Sequence, residues 1–229
     1  MPKSRSLSEL NPFRRFDLTQ CREADCMPAW LTDQLREDAM IEIIEILRQE
    51  HRGIEKLLGV LERELSVFDR GDRPDYEVVL AVIDYFKGYP DSCHHPKEDI
   101  IVEKFKARDP LAASTIGDLQ AEHREGARRL QRVAQAVEDV LSDQGLLRQA
   151  VNDIVRDFVN HERRHMAMEE RVVFPAVIKA LRSEDWADIA LQLADRYGPP
   201  SESNFEEKFG ALWRDIVKLE DAASDARSD

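Results

Sequence analysis

From about Thr32 onward, apolar and polar residues alternate with the period of a helix, and turn-forming clusters cut that pattern into segments. The first segment, about 33–69, places Ile44, Leu47, His51, Ile54, Leu58, Leu61, Leu65 and Phe68 at alternating steps of three and four. Such a seam is what a helix presents to its neighbours in a bundle. It ends at Asp69-Arg70-Gly71-Asp72-Arg73-Pro74, a turn cluster. A second segment runs over about 75–107, up to Arg108-Asp109-Pro110. The third, about 111–142, repeats the seam with Ile116, Leu119, His123, Gly126, Leu130, Val133, Val137 and Val140, and stops near Ser142-Asp143-Gln144-Gly145. A fourth covers about 146–182. Long helices joined by short breaks pack antiparallel, so the pattern predicts an all-α fold, an up-down-up-down four-helix bundle over 32–183. Residues 1–31, with Pro2, Pro12 and Pro28 and little periodicity, are expected to form an irregular N-terminal arm. Over 184–229 the pattern predicts a C-terminal helical extension, with helices near 184–196 and 204–221 flanking Tyr197-Gly198-Pro199-Pro200, and then a polar tail.

Composition narrows the partners more than the fold. Glycine and proline together make up about 8% of the 229 residues, against roughly 12% in average proteins, which argues against a turn-rich sandwich or barrel. The formal net charge is −13, from 33 basic and 46 acidic residues. With no basic stripe to offset it, a nucleic-acid partner is not expected. The sequence has no apolar run long enough to span a membrane, and its N-terminus has no signal-like apolar stretch, so a cytoplasmic location is expected. Cys21, Cys26 and Cys93 are an odd set with no C-x-x-C pair, and they do not make a disulfide framework.

Histidine carries the chemistry. His51 and His123 each interrupt an apolar seam, where an imidazole costs free energy unless its nitrogens find partners. One such residue is ordinarily a hydrogen-bonded core histidine; two in matched positions need a shared explanation. Glu50-His51-Arg52 recurs 72 positions later as Glu122-His123-Arg124, and His94-x-x-x-Glu98 recurs 71 positions later as His165-x-x-x-Glu169. Residues four apart share a helix face, so four helices would converge four imidazoles and two carboxylates. A single H-x-x-x-E pair is weak, because such pairs arise by chance on charged helices; the ordered set of four motifs is specific. Two uncompensated carboxylates inside a bundle are costly, and bound cations neutralise them. Six donors exceed one tetrahedral zinc and suit two ions sharing bridging carboxylates. The mixed ligands favour iron or manganese, and zinc also binds such donors.

The stretches QEHRGIEKLL, YPDSCHHPKED, AEHREGARRL and HERRHMAMEERVVFP resemble the hemerythrin-like family, the HHE cation-binding domains, over about 40–182. The resemblance implies two iron ions, oxo- or hydroxo-bridged, that react with dioxygen, hydrogen peroxide or nitric oxide. It implies the ligands His51, His94, Glu98, His123, His165 and Glu169, with no catalytic residue beyond them. In one respect the chain departs from that family's oxygen carriers, which place two histidines four apart on the third helix; here Ala127 stands four after His123. That leaves room for solvent or small molecules and favours redox reaction or sensing over oxygen transport. His161, one turn before His165, is a polar pocket residue or a further ligand. His95 is expected about 100° around the helix from His94, exposed or just behind the ligands, with a place as a further ligand left open. Pro96 can tilt the helix, which leaves His95/Asp99 as an alternative register, though the 71-residue repeat favours His94/Glu98. A ferritin-like centre is the rival bundle; Glu162/His165 has its spacing, but the counterpart Asp91/His94 matches poorly. The expected function is binding or reduction of a small oxidant. The alternative is a sensor or scaffold that contacts a protein partner, or a second copy, through 184–221.

Overall fold

The structure is a computed structural model that describes the backbone of residues 29–197 apart from Leu146, together with Arg214 and Ile216, and side chains from Met40 onward. Most of the expected N-terminal arm, residues 1–28, lies outside the described residues. Met1–Leu35 forms a unit of its own, and Arg36–Asp229 forms the unit that carries the bundle.

The chain is all-α. Helix α1 (Ala29–Asp69) already includes the last three residues assigned to the arm. Helix α2 (Tyr76–Tyr89) is capped by Asp75, whose carboxylate accepts from the Glu77 and Val78 amides. The second predicted segment is then interrupted: a π-helical turn, π1 (Pro90–His94), joins α2 to α3 (His95–Arg108). The fourth is interrupted in the same way, with π2 (Glu169–Val173) lying between α6 (Arg148–Met168) and α7 (Phe174–Ala180). A proline explains each break. The amides of His95 and Phe174 reach back five residues, to the carbonyls of Pro90 and Glu169. The next residue, Pro96 or Pro175, has no amide to donate. A widened turn relieves the clash that a proline ring makes with the carbonyl four residues back.

The third segment also begins later than its seam suggests. After the single turn α4 (Pro110–Ala113), Gly117 takes a φ of 78° and Asp118 caps α5 (Leu119–Leu141) by accepting from the Ala121 amide. Ile116 is therefore buried from a turn rather than from the helix. Cross-contacts record antiparallel neighbours. Arg163 at one end of α6 pairs with Glu55 at 2.8 Å, while Arg148 at the other reaches the Asp69 carbonyl of α1. Between α5 and α6, Arg132 meets Asp157 at 2.9 Å.

Two apolar clusters make the core, and the candidate site lies between them. Leu47, Ile101, Leu119 and Val173 belong to one; Ile54, Tyr89, Leu130 and Met166 belong to the other. On α1 and α5, the histidine of each seam marks the crossing from one cluster to the other. Helix α8 (Ser183–Tyr197) matches the first predicted C-terminal helix. Its inner face is used by the bundle: Trp186 and Ile189 are fully buried in the first cluster. Asp185 accepts from Arg108 at 2.8 and 2.7 Å and caps the turn through the Arg182 amide at 2.9 Å. The helix expected over 204–221 lies outside the described residues except for Arg214 and Ile216. Both are helical, and Ile216 is fully buried in the second cluster. No helix among the described residues is long and apolar enough to cross a membrane.

Replacing Trp186 empties the largest fully buried side chain among the described residues. Trp186→Ala is expected to cost about 3–5 kcal/mol of unfolding free energy, read as a lower midpoint in urea denaturation. A loss under about 1 kcal/mol would show that α8 is not part of the folded core.

Candidate metal centre

Helix α1 supplies His51, π1 ends on His94, α3 adds Glu98, α5 His123 and α6 His165, and π2 opens on Glu169. All six are buried, with Glu169 fully so. They form two overlapping groups, His51, His94, Glu98 and Glu169, and Glu98, His123, His165 and Glu169; within each, the donor atoms lie within 4.8 Å of one another. The two carboxylates are common to both.

The division of oxygens is specific. Glu98 turns Oε1 toward the Nε2 atoms of His94 (3.4 Å) and His51 (3.7 Å), and Oε2 toward His123 Nε2 (3.4 Å). Glu169 turns Oε2 toward His51 Nε2 (3.2 Å), and Oε1 toward His165 Nε2 (3.0 Å) and His123 Nε2 (3.7 Å). Despite these approaches, the four carboxylate oxygens and the Nε2 atoms of His123 and His165 make no hydrogen bond with a described residue. Buried polar atoms are almost always paired. Six convergent exceptions, all of them atoms that coordinate metals well, are placed to hold a cation.

Outer contacts fix two of the rings. His51 Nδ1 donates to Glu170 at 3.0 Å and His94 Nδ1 donates to Glu50 at 2.8 Å, which turns both Nε2 atoms toward the centre, where they lie 3.1 Å apart. Glu50 also pairs with Lys97. Burial works against its charge, but the contacts with His94 and Lys97 prevail and hold its carboxyl below the usual value. Phe174 stacks on His51 with ring centroids 5.6 Å apart, which covers that side of the layer.

His95 takes the inward one of the places left open for it. The π turn carries it inward beside His94, where its ring stacks on His123 at 3.7 Å, and with His123 and His165 it forms a third candidate group. Asp91 holds its Nδ1 at 3.1 Å. His161 is buried but lies outside all three groups, its Nε2 directed at the Glu122 carbonyl 3.3 Å away. The His94/Glu98 register is the one brought together; Asp99 is not in any of the groups. Cys93 is buried in the second apolar cluster, and burial pushes its thiol up to about 12, which makes it a poor nucleophile.

The chain matches the description "Hemerythrin HHE cation binding domain" over residues 42–177, more than half its length. It belongs to this family. No curated protein and no solved structure matches the chain. As an HHE domain it is a cation-binding domain, and the cluster above is where histidine and glutamate positioned for a cation converge.

Sequence reasoning did not assign roles to Glu50, Lys97, Asp91 and Glu170. Glu50 had a signal, since it precedes His51 in the repeated Glu-His-Arg triplet. Its repeat mate Glu122 is exposed, however, so the triplet alone does not tell which glutamate turns inward.

The charges couple tightly. Burial opposes charge on His51 and His123, yet the nearby Glu169 and Glu98 carboxylates raise them to about 10 and about 9, and His165 is raised in the same way. Burial would raise Glu98 and Glu169, but the surrounding imidazoles lower both, Glu98 to about 2. Raised imidazoles contribute stability fully below their ordinary 6.5 and lose it as pH climbs through about 9 and 10. Depressed carboxylates contribute above their ordinary 4.5 and lose it as pH falls toward about 2. Thermal melts in chelator should therefore give the highest midpoint between about pH 4.5 and 6.5, with a steady fall toward pH 10. A midpoint that climbs over the alkaline range would overturn this account of the charges.

Proposed function

We propose that this HHE domain is a non-heme di-iron protein that binds or reacts with a small oxidant, whether dioxygen, hydrogen peroxide or nitric oxide. His51 and His94 would hold one ion and His123 and His165 the other, with Glu98 and Glu169 common to both sets of donors. One observation carries the reading: each carboxylate divides its two oxygens between the two pairs of Nε2 atoms. Manganese and zinc also suit these donors. The bound iron pair would supply the redox chemistry. The chain orients the imidazoles through Glu50 and Glu170, keeps the layer dry with apolar clusters on both sides, and neutralises the bridging charges.

Coordination is not symmetric in this proposal. Ala127, four residues after His123, offers no donor, so the second position has fewer protein ligands on α5 and more space for solvent or substrate. His95, within reach of His123 and His165, is its available third imidazole. Binding must displace protons from His51, His123 and His165, so metal affinity falls as pH is lowered.

A second reading, that of a sensor whose C-terminal helices contact a partner or a second copy, draws on a link from the site to α8. Lys97 pairs with Glu50, the partner of His94, and lies 5.8 Å over the Tyr197 ring at the end of α8. A cytoplasmic location belongs to both readings.

Metal analysis of the iron-loaded chain should give about two ions. His51→Ala and His165→Ala should each lower that content and abolish near-ultraviolet charge-transfer absorption of the oxidised protein. Steady consumption of peroxide or nitric oxide separates reaction from sensing. For the sensor, removing residues 198–229 should instead abolish a metal-dependent partner contact without changing metal content. Substoichiometric metal that survives both substitutions would sink the paired site.

A further inference from the structure

Gly126 occupies an inward seam position on α5, one turn after His123. A Cβ built there would stand 2.6 Å from Glu162 Oε1 and 3.5 Å from His161 Nε2. Real Cβ atoms do not approach an oxygen so closely, so the side chain of Glu162 lies in space that only glycine leaves open. Glu162 comes from α6, one turn before His165, and is half-buried. It makes no hydrogen bond or ion pair with a described residue, in contrast to Glu50 and Glu170, which are tied to His94 and His51. Its carboxylate interacts electrostatically with His165, Glu169 and His123, the donors of the second position, and burial pushes it up to about 7. None of its oxygens belongs to the groups of mutually close donor atoms. The carboxyl therefore lies outside those groups, against Gly126 of α5 and close to His161 of its own helix.

We propose that Glu162, seated over Gly126, hydrogen-bonds a small hydroxylic molecule such as a hydroperoxide at the second metal position, and so determines which oxidant the site accepts. This rests on the reading of the cluster as a two-ion centre. A carboxyl group exchanges hydrogen bonds with an O–H ligand, whereas nitric oxide has no hydrogen to donate and accepts weakly. Gly126 acts through Glu162: any larger residue pushes the carboxyl away, so the two positions work as one unit. His161, held on the Glu122 carbonyl, packs beside them and completes the polar wall.

The test uses the full chain loaded with ferrous iron and compares the parent with Glu162→Ala, Gly126→Ala and the double variant. Metal content should stay at about two ions in all four. The kcat/KM for hydrogen peroxide should fall by about tenfold or more in each single variant, as expected when a buried polar contact is lost. The double variant should be no worse than either single one, because the substitutions remove the same contact. Nitric oxide affinity, read optically, should stay within about twofold of the parent. Peroxide and nitric oxide responses that fall together would mean a distorted centre and overturn the proposal. So would additive losses, or a Glu162→Ala chain with unaltered peroxide kinetics. Should Gly126→Ala not fold, Glu162→Ala decides alone, by the split between peroxide and nitric oxide. A parent that holds no paired metal overturns this proposal and the two-ion reading together. A parent that holds two ions but does not consume peroxide overturns only this one.

Discussion

Two carboxylates, Glu98 and Glu169, lie in the interior almost wholly removed from water, and the arrangement of the bundle follows from the cost of keeping them there. Burying an uncompensated carboxylate costs several kcal/mol even after relaxation. Here four imidazoles converge on the pair from four helical segments, so whatever neutralises the carboxylates, protons or cations, must be shared among helices distant in sequence. The layer contributes no apolar packing of its own. Stability has to come from the clusters on either side, which is why the seams of α1 and α5 carry leucine and isoleucine both before and after the histidine. Helix α8 extends one of these clusters with Trp186 and Ile189, so the segment beyond the bundle helps to hold the layer closed.

The π turns settle how so many donors reach one layer. Along a regular helix, consecutive residues diverge by about 100°, so only one of a neighbouring pair can face the centre. Across π1, His94 and His95 both turn inward, one to Glu98 and the other to His123. At π2, Glu169 enters the centre while the adjacent Glu170 reaches His51 Nδ1. Each widened turn recruits two consecutive residues, and each is followed by a proline that a regular helix would not tolerate without strain. Pro96 and Pro175 thus belong to the construction of the centre although neither has a donor atom to offer it.

How much of this is written in the sequence depends on whether it is periodic. Helices, seams and the six principal donors repeat at fixed spacing, and the amphipathic pattern and the doubled motif expose them directly. The inward turn of His95 is not readable from an α-helical wheel, because the wheel assumes the 3.6-residue period that Pro96 interrupts. Pro96 itself is the available warning. The late start of α5 escapes for a different reason: Ile116 keeps the seam spacing but is buried from a turn. Contacts such as Glu50–His94 or Gly126–Glu162 join residues 44 and 36 positions apart in the chain. They depend on how helices are rotated against one another, which no local pattern encodes.

The sequence repeat is nearly symmetric, yet the surroundings of the two halves are not. His94 is oriented by Glu50, which Lys97 holds in turn, and His51 by Glu170. In the other half, Glu122 takes the repeat position of Glu50 but is exposed, and its carbonyl faces His161 instead. His165 Nδ1 is left with no hydrogen bond to a described residue. An imidazole anchored by a carboxylate has a fixed tautomer and ring orientation, while an unanchored one is free to adjust. The half with the anchored rings is therefore suited to keeping an ion in place. The other half combines adjustable imidazoles, a missing donor at Ala127 and the space above Gly126, and these are the properties needed where ligands exchange. The repeat thus supplies the donors, and under the proposed two-ion reading the loss of symmetry around them would divide the work between a retaining position and a reacting one.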